Sequence, residues 1–367
     1  MDGSKITRRG LLKLGGAATV VAATGRSVSA YAADAPQRFY LGTYTSAGGP
    51  GIVRGHLDPA TGRPTVDAQT RAVQEASWLA LGPGRQTLYA ISEQNAGTVG
   101  ALGPDDLVVR KTVATGNGPA HIAVHPGGAF LFSSLYGGGA VVTHPIATDG
   151  TVGPATDTRK QSTNGQPSHA HQVVIDPTGA YVLAVDLGRD SVFTYTLNTS
   201  SRKLTQVART PMVAGSGPRH LVFHPSGGYA YLANENNSTV TVLGWANGVL
   251  TPGQSVAAAP NTGVTNYPGE IAISADGRFV YVSNRGTNTV GVFAVSAGGA
   301  TLTRIAAPSC GGDWPRHLAL DATGRWIYLA NQRSGTVTWL PVNAGTGVPG
   351  AVAGTFTAPG AAQILLV

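Results

Sequence analysis

Cysteine is almost absent from this chain. Cys310 is the only one in 367 residues, so no disulfide can form within the molecule. Long hydrophobic runs are missing as well: although 42% of the residues are hydrophobic, no stretch beyond the N-terminal region approaches the roughly 18 apolar residues of a membrane span. Only 12% of the residues are charged. No lysine–arginine run or aromatic–basic stripe offers a footprint for nucleic acid. After Ala35, no stretch long enough for a helix carries apolar residues at helical spacing. These absences exclude a disulfide-stapled scaffold, a helical bundle, a membrane-spanning protein and a nucleic-acid-binding module.

The first 35 residues read as a targeting segment with a short linker. Thr7-Arg8-Arg9-Gly10-Leu11-Leu12-Lys13 is a twin-arginine pattern, and a mild apolar run from Leu14 to Ala23 follows it. Small residues around Val28-Ser29-Ala30 and Ala30-Tyr31-Ala32 offer cleavage sites. The sequence therefore predicts export in the folded state by the twin-arginine machinery, to the periplasm, cell envelope or medium, with no membrane anchor after cleavage. A fold that closes without disulfides suits that route. The net charge of +7 falls to about +3 once residues 1–32 leave, because they carry Lys5, Arg8, Arg9, Lys13 and Arg26 against Asp2.

What is present is a phrase repeated six times. It begins at Trp78, His121, His171, His220, Glu270 and His317, with spacings of 43, 50, 49, 50 and 47 residues. His220-Leu-Val-Phe-His-Pro-Ser-Gly-Gly and Glu270-Ile-Ala-Ile-Ser-Ala-Asp-Gly show its form: an apolar strand, a tight turn and a second β-rich strand. A third strand follows, as in Ser238–Leu243, and a weaker fourth completes the unit. Four antiparallel strands per 40–50 residues is the signature of a propeller blade. The two ends supply a seventh blade: Ala361–Val367 matches a first strand, Arg38–Tyr44 a second and Ile52–Leu57 a third. The prediction is an all-β, seven-bladed propeller over residues 36–367, closed by strands from both termini so that no sheet edge stays open.

Strands one and two of a blade are antiparallel, so the start of one and the end of the other meet at one mouth of the channel. Counting fifteen residues on from each lead residue predicts Glu93, Tyr136, Asp186, Glu235, Arg285 and Gln332 at that mouth, with one register for all six repeats. The residues before the lead positions include Arg219 and Arg316. Histidine recurs at the lead position, which points to blade support for His121, His220 and His317. Charged residues that break the pattern point to a ligand site. Arg219, Arg285 and Arg316 suit a carboxylate, a phosphate or a developing oxyanion. Glu235 and His171 are candidate bases, with Glu93 and Asp186 as further carboxylates. His169 and His171 share a strand face, but a metal would need a third ligand that the sequence does not place. No metal or cofactor is expected, and the protein is expected to be a monomer. Tyr136-Gly-Gly-Gly139 reads as a turn between strands.

Taken together, Tyr40-Leu-Gly-Thr-Tyr-Thr45, Pro167-Ser-His-Ala-His-Gln172, Gly217-Pro-Arg-His-Leu-Val-Phe-His-Pro225, Asn234-Glu235 and Asp276–Gly286 resemble the lactonase family of seven-bladed propellers. The family includes bacterial 6-phosphogluconolactonase and the fungal carboxymuconate lactonizing enzyme. The resemblance implies a catalytic group of one His, two Arg and one Glu, which fall on His171, Arg219, Glu235 and Arg285. Glu93, His121, Tyr136, His169, Asp186, His220, Arg316 and His317 would then line the substrate site. The implied reaction is hydrolysis of a sugar or related anionic lactone by water. No Ser lies in a nucleophile elbow, and Cys310 falls between repeats. Two other readings stand beside it: a cycloisomerase forming a lactone from an unsaturated diacid, and a non-catalytic exported propeller that binds carbohydrate or protein.

Overall fold

The computed structural model describes residues 36–161, 167–296 and 298–367. The twin-arginine pattern and its apolar run lie outside them. Among the described residues the chain forms seven four-stranded antiparallel sheets, and the only helical elements are two single 3-10 turns, Thr45–Ala47 and Pro83–Arg85. No helix among the described residues is long and apolar enough to cross a membrane.

Six sheets are built from consecutive strands, as in blade five: Pro218–Phe223, Tyr229–Asn234, Thr239–Ala246 and Val249–Ala257. The remaining sheet is assembled from both ends. Ala361–Leu366 pairs with Gln37–Thr43, which continues into Ile52–Leu57 and Pro64–Thr70. We number this closing sheet blade one and the others two to seven in chain order. Inner strands are buried at their starts, whereas outer strands are largely exposed, as Lys203–Pro211 is. That gradient places the most enclosed positions at the axis.

Adjacent blades pack face to face through apolar clusters; Tyr231, Val240, Ile271, Val280 and Phe293 form one between blades five and six. A recurring tyrosine fastens the blades together. The hydroxyls of Tyr40, Tyr89, Tyr231, Tyr281 and Tyr328, all on second strands, donate to the carbonyls of Pro104, Gly150, Gly299, Gly347 and Gly62 at 2.7–2.9 Å. Each acceptor lies in the outer turn of the next blade around the ring. Ring and hydroxyl thus bury apolar area and satisfy a turn carbonyl together. Gly347 shows why such a turn needs glycine: its φ is +70°, and a Cβ there would come within 2.4 Å of the Phe279 ring.

The ring junctions also use side-chain amides. Gln363 Oε1 accepts from the Leu79 N–H at 2.6 Å while its Nε2 donates to the Leu79 carbonyl at 3.2 Å. Gln172 makes the same two-way bond to Leu221. These pairs satisfy inner-strand backbone that no neighbouring strand reaches.

Most inner strands carry a β-bulge near their start. In blade five Pro218 pairs with Asn234 and His220 with Ala233, which leaves Arg219 between them. The same irregularity leaves Ala120, His171 and Arg316 unpaired in blades three, four and seven. A bulge re-aims a side chain and ends regular pairing. Arg219, His171 and Arg316 therefore occupy one structural level at the mouth.

Candidate active site

Two layers of side chains fill the channel at this end. The deeper one is made of lead residues. The Trp78 ring lies 4.1 Å from His121 and 5.2 Å from both His220 and His317, measured between centroids. His220 Nδ1 lies 2.9 Å from Glu270 Oε2, and His317 Nε2 lies 3.3 Å from the same oxygen. His121, His220, Glu270 and His317 are all buried. This layer is a plug.

The outer layer carries the free charges. Arg219, with only 2% of its surface exposed, donates through Nη1 to the Gly269 carbonyl at 2.6 Å. Its Nε lies 3.2 Å from Glu235 Oε2, close enough for an ion pair but without the alignment of a hydrogen bond. Arg285 reaches the same Glu235 oxygen at 2.8 Å and donates to the carbonyls of Tyr267 and Pro268. Backbone carbonyls therefore hold both guanidiniums against one carboxylate. Arg316 lies 3.6 Å from Glu93 and sits over the Tyr44 ring, whose hydroxyl donates to Glu93 at 2.7 Å. His169 stacks on Tyr136 at 4.6 Å. His171 packs edge-on to Tyr136, and its Nδ1 lies 3.1 Å from His220 Nε2. His171 is the link between the layers.

Burial and charge set the protonation states. Burial, reinforced by Arg219, holds His171 and His220 well below 6.5, so both are neutral imidazoles at pH 7. Burial likewise lowers His121, and it brings His317 down to about 4. Burial alone would raise Glu235, but Arg285 and Arg219 outweigh it and keep the carboxyl below its ordinary value of 4.5. Burial, with Arg285 and Arg316, pulls Arg219 down to about 9, still charged at neutral pH. Burial raises Glu270. It also raises the Cys310 thiol to about 11, which makes a thiolate nucleophile unsuitable.

The fourth blade corrects the expected register. Leu187 N–H donates to His169 O just as Glu235 N–H donates to Gly217 O and Tyr136 N–H to Gly118 O. Leu187, not Asp186, therefore takes the place of Glu235 just past the end of this second strand, Tyr181–Asp186. Asp186 lies fully buried one step back, accepting from Ser168 Oγ and the His169 and Arg189 N–H groups. Its role is to hold the loop that presents His169 and His171. His171 moves correspondingly to the level of Arg219 and Arg316, and Gln172 takes the lead position. The slip was visible in the sequence. The turn residue falls four after the lead in His220–His224 but five after it in His171–Asp176.

The remaining predicted residues do meet at this mouth. Arg219, Glu235, Arg285, Arg316 and Glu93 form the charged layer, His169, His171 and Tyr136 flank it, and His121, His220 and His317 lie beneath. His169 and His171 do not converge as a metal pair: His169 Nδ1 turns to the Tyr136 carbonyl and His171 to His220. Among the described residues, no group of three or more His, Cys, Asp or Glu side chains is placed to hold a metal ion.

Three residues at the site were overlooked. Tyr44 is the first blade's counterpart of Glu235, since its N–H donates to Gly360 O in the same pattern; the match of Arg38–Tyr44 to a second strand already contained it. Glu270 is the carboxylate that breaks the run of lead histidines. Trp314 occupies a backbone level where Gly118, Gly217 and Gly360 have φ of +56°, +62° and +63°, and it adopts +63° itself. A non-glycine residue held there stores strain, which clusters at functional sites. Its indole lies under Arg333 at 3.4 Å and Arg285 at 5.5 Å, which helps fix Arg285.

The Glu235 clamp predicts a pH-dependent stability. Its folded-state pKa is depressed, so the carboxylate stabilises the fold above its unfolded value of 4.5 and loses that contribution as pH falls through the lower folded value. Glu235→Gln should cost about 3 kcal/mol at pH 7, because it strands two buried guanidiniums. Urea unfolding of both proteins should show the gap narrowing as pH falls below 4.5. A gap that does not change with pH would contradict the clamp.

Comparison with known proteins agrees with this architecture. The family model described as Lactonase, 7-bladed beta-propeller matches residues 38–366. The 6-phosphogluconolactonase of Bacillus subtilis is 32% identical over 292 residues, covering 75% of this chain and 82% of that protein. The solved structure of the periplasmic gluconolactonase of Pseudomonas aeruginosa superposes with a TM-score of 0.86 at 28% identity, covering 91% of this chain and 99% of that one. A Lactobacillus plantarum protein of solved structure reaches 0.85 at 32% identity, covering 91% of this chain and all of that one. With its seven blades and the match spanning nearly every described residue, the chain belongs to the lactonase family of seven-bladed β-propellers.

Proposed function

We propose that the protein hydrolyses an aldonolactone, such as gluconolactone or its 6-phosphate, at the mouth lined by Arg219, Glu235, Arg285 and His171. The observation that carries this reading is the charge arrangement there. Three guanidiniums, Arg219, Arg285 and Arg316, converge at the mouth with Glu235 and Glu93 between them, on a largely buried surface. Attack of water on a lactone carbonyl creates one negative charge on oxygen. Donors already fixed by backbone carbonyls can stabilise that charge without reorganising.

Glu235 is a poor base, because two guanidiniums stabilise its ionised form. Its work in this reading is to hold Arg219 and Arg285 at a fixed separation. His171 is neutral at pH 7 and lies at the same level, so it is the group that takes the proton from water. Tyr136, His169 and Tyr44 supply ring faces and hydrogen-bonding groups for a hydroxylated substrate. The names of the Bacillus subtilis and Pseudomonas aeruginosa relatives support this substrate class.

Arg219→Ala should lower kcat for lactone opening about 10²–10³-fold, as expected for loss of one donor to the developing oxyanion. The assay is a pH-stat run over gluconolactone and its 6-phosphate with folded protein. Unchanged turnover would remove Arg219 from the mechanism, and binding without turnover by the wild type would make the propeller a binding module.

The same reading includes export. The twin-arginine pattern at Arg8-Arg9 and the periplasmic relative support a site outside the cytoplasm. Replacing both arginines by lysine should retain folded protein in the cytoplasm of a cell that exports the wild type. Fractionation that finds the two alike would exclude this route.

A further inference from the structure

We infer that Glu270 is the terminal proton acceptor of a buried relay, Glu270–His220–His171, that makes His171 the base of the reaction. The inference rests on the lactone-opening reading and adds to it two residues that act through His171. Glu270 Oε2 lies 2.9 Å from His220 Nδ1, and His220 Nε2 lies 3.1 Å from His171 Nδ1. All three side chains are buried.

Counting donors assigns the hydrogens. A neutral imidazole has one N–H and one lone pair. An ionised Glu270 accepts from His220 Nδ1–H, which leaves the lone pair on His220 Nε2. His171 must then donate its Nδ1–H to that lone pair. Its own lone pair falls on Nε2, a nitrogen with no hydrogen bond among the described residues. The carboxylate is further supported by the Ile271 N–H at 3.0 Å and by His317 Nε2 at 3.3 Å.

The reaction balances along this path. Water gives a proton to His171 Nε2 as its oxygen bonds to the lactone carbonyl carbon. The His171 Nδ1 proton moves to His220 Nε2, and the His220 Nδ1 proton moves to Glu270 Oε2. One negative charge leaves the carboxylate and one appears on the tetrahedral oxyanion beside the guanidiniums. Collapse breaks the ring C–O bond, and the reverse transfers deliver the proton to the leaving alkoxide.

The path avoids an imidazolium. Burial, together with Arg219, opposes a positive charge on His171 or His220, whereas burial raises the proton affinity of Glu270. The repeat makes the same point by contrast. At the lead level the other blades place Trp78, His121, Gln172, His220, His317 and Gln363, and only blade six places a carboxylate there.

Glu270→Gln removes the terminal acceptor at nearly constant shape. With native circular dichroism, this variant should lose about 100-fold or more in kcat while KM stays within about twofold, and Glu270→Asp should recover part of the loss. A folded variant with unchanged kcat overturns the relay. A second measurement needs neither substrate nor a folded Glu270 variant: 15N NMR of histidine-labelled wild type, with His171 assigned from the signal lost in folded His171→Asn. At neutral pH its Nδ1 should be protonated and its Nε2 bare; a proton on Nε2 overturns the assignment. A wild type that opens no lactone would sink the functional reading, and the spectrum would still decide the relay.

Discussion

Closure of the ring is the constraint on which the rest of this molecule depends. Pairing of Ala361–Leu366 with Gln37–Thr43 completes the seventh four-stranded blade from both ends of the chain, and every inner strand then runs along a common axis. Side chains on those strands are shut in by six other blades, so a polar group there finds its partner across the channel or goes without. The plug of Trp78, three lead histidines and Glu270 follows from that geometry. Neutral imidazoles are well suited to it, because each offers one donor and one acceptor at little desolvation cost.

The bulge at the start of the inner strand turns a packed axis into a site. By lifting Arg219, His171 and Arg316 out of regular pairing, it places them one level above the plug, opposite the ends of the second strands. Buried guanidiniums are costly unless they are both paired and hydrogen-bonded. Here Glu235, Glu93 and the carbonyls of Tyr267, Pro268 and Gly269 supply those partners. The price of that enclosure is rigidity, which is useful where charge must be stabilised as it forms. The strained backbone of Trp314, at a level where three other blades place glycine, belongs to the same pattern.

The fold was legible in the sequence because the repeat aligns the chain with itself. Blade number, the closing blade built from both termini, and the third strand at Ile52–Leu57 all follow from matching one unit to the next. The site was less legible, and the fourth blade shows why. Matching by residue type set His171 beside His121 and His220, but strand pairing sets it beside Arg219, because in this blade the histidine stands at the bulge and Gln172 takes the lead position. Asp186 moved with that slip from the mouth to the end of its strand, where it holds the loop at Ser168 and His169. Glu270 escaped notice for a different reason. Its importance lies in what it touches across the channel, and its 2.9 Å contact with His220, fifty residues away, is invisible to a local motif. Tyr44 and Trp314 stand at levels that the register defines, yet both lie outside the six repeated phrases.

The central claim is that one mouth of the channel receives the lactone, with its reacting carbon between His171 and the guanidiniums of Arg219 and Arg285. A crystal structure of the protein soaked with an aldonate, the ring-opened product, tests it most directly. The account predicts the aldonate carboxylate at that mouth, hydrogen-bonded to at least one of the two arginines and with its carboxyl carbon facing His171 Nε2. An aldonate bound at the opposite end of the channel, or at the outer rim of the blades with this mouth empty, would contradict it.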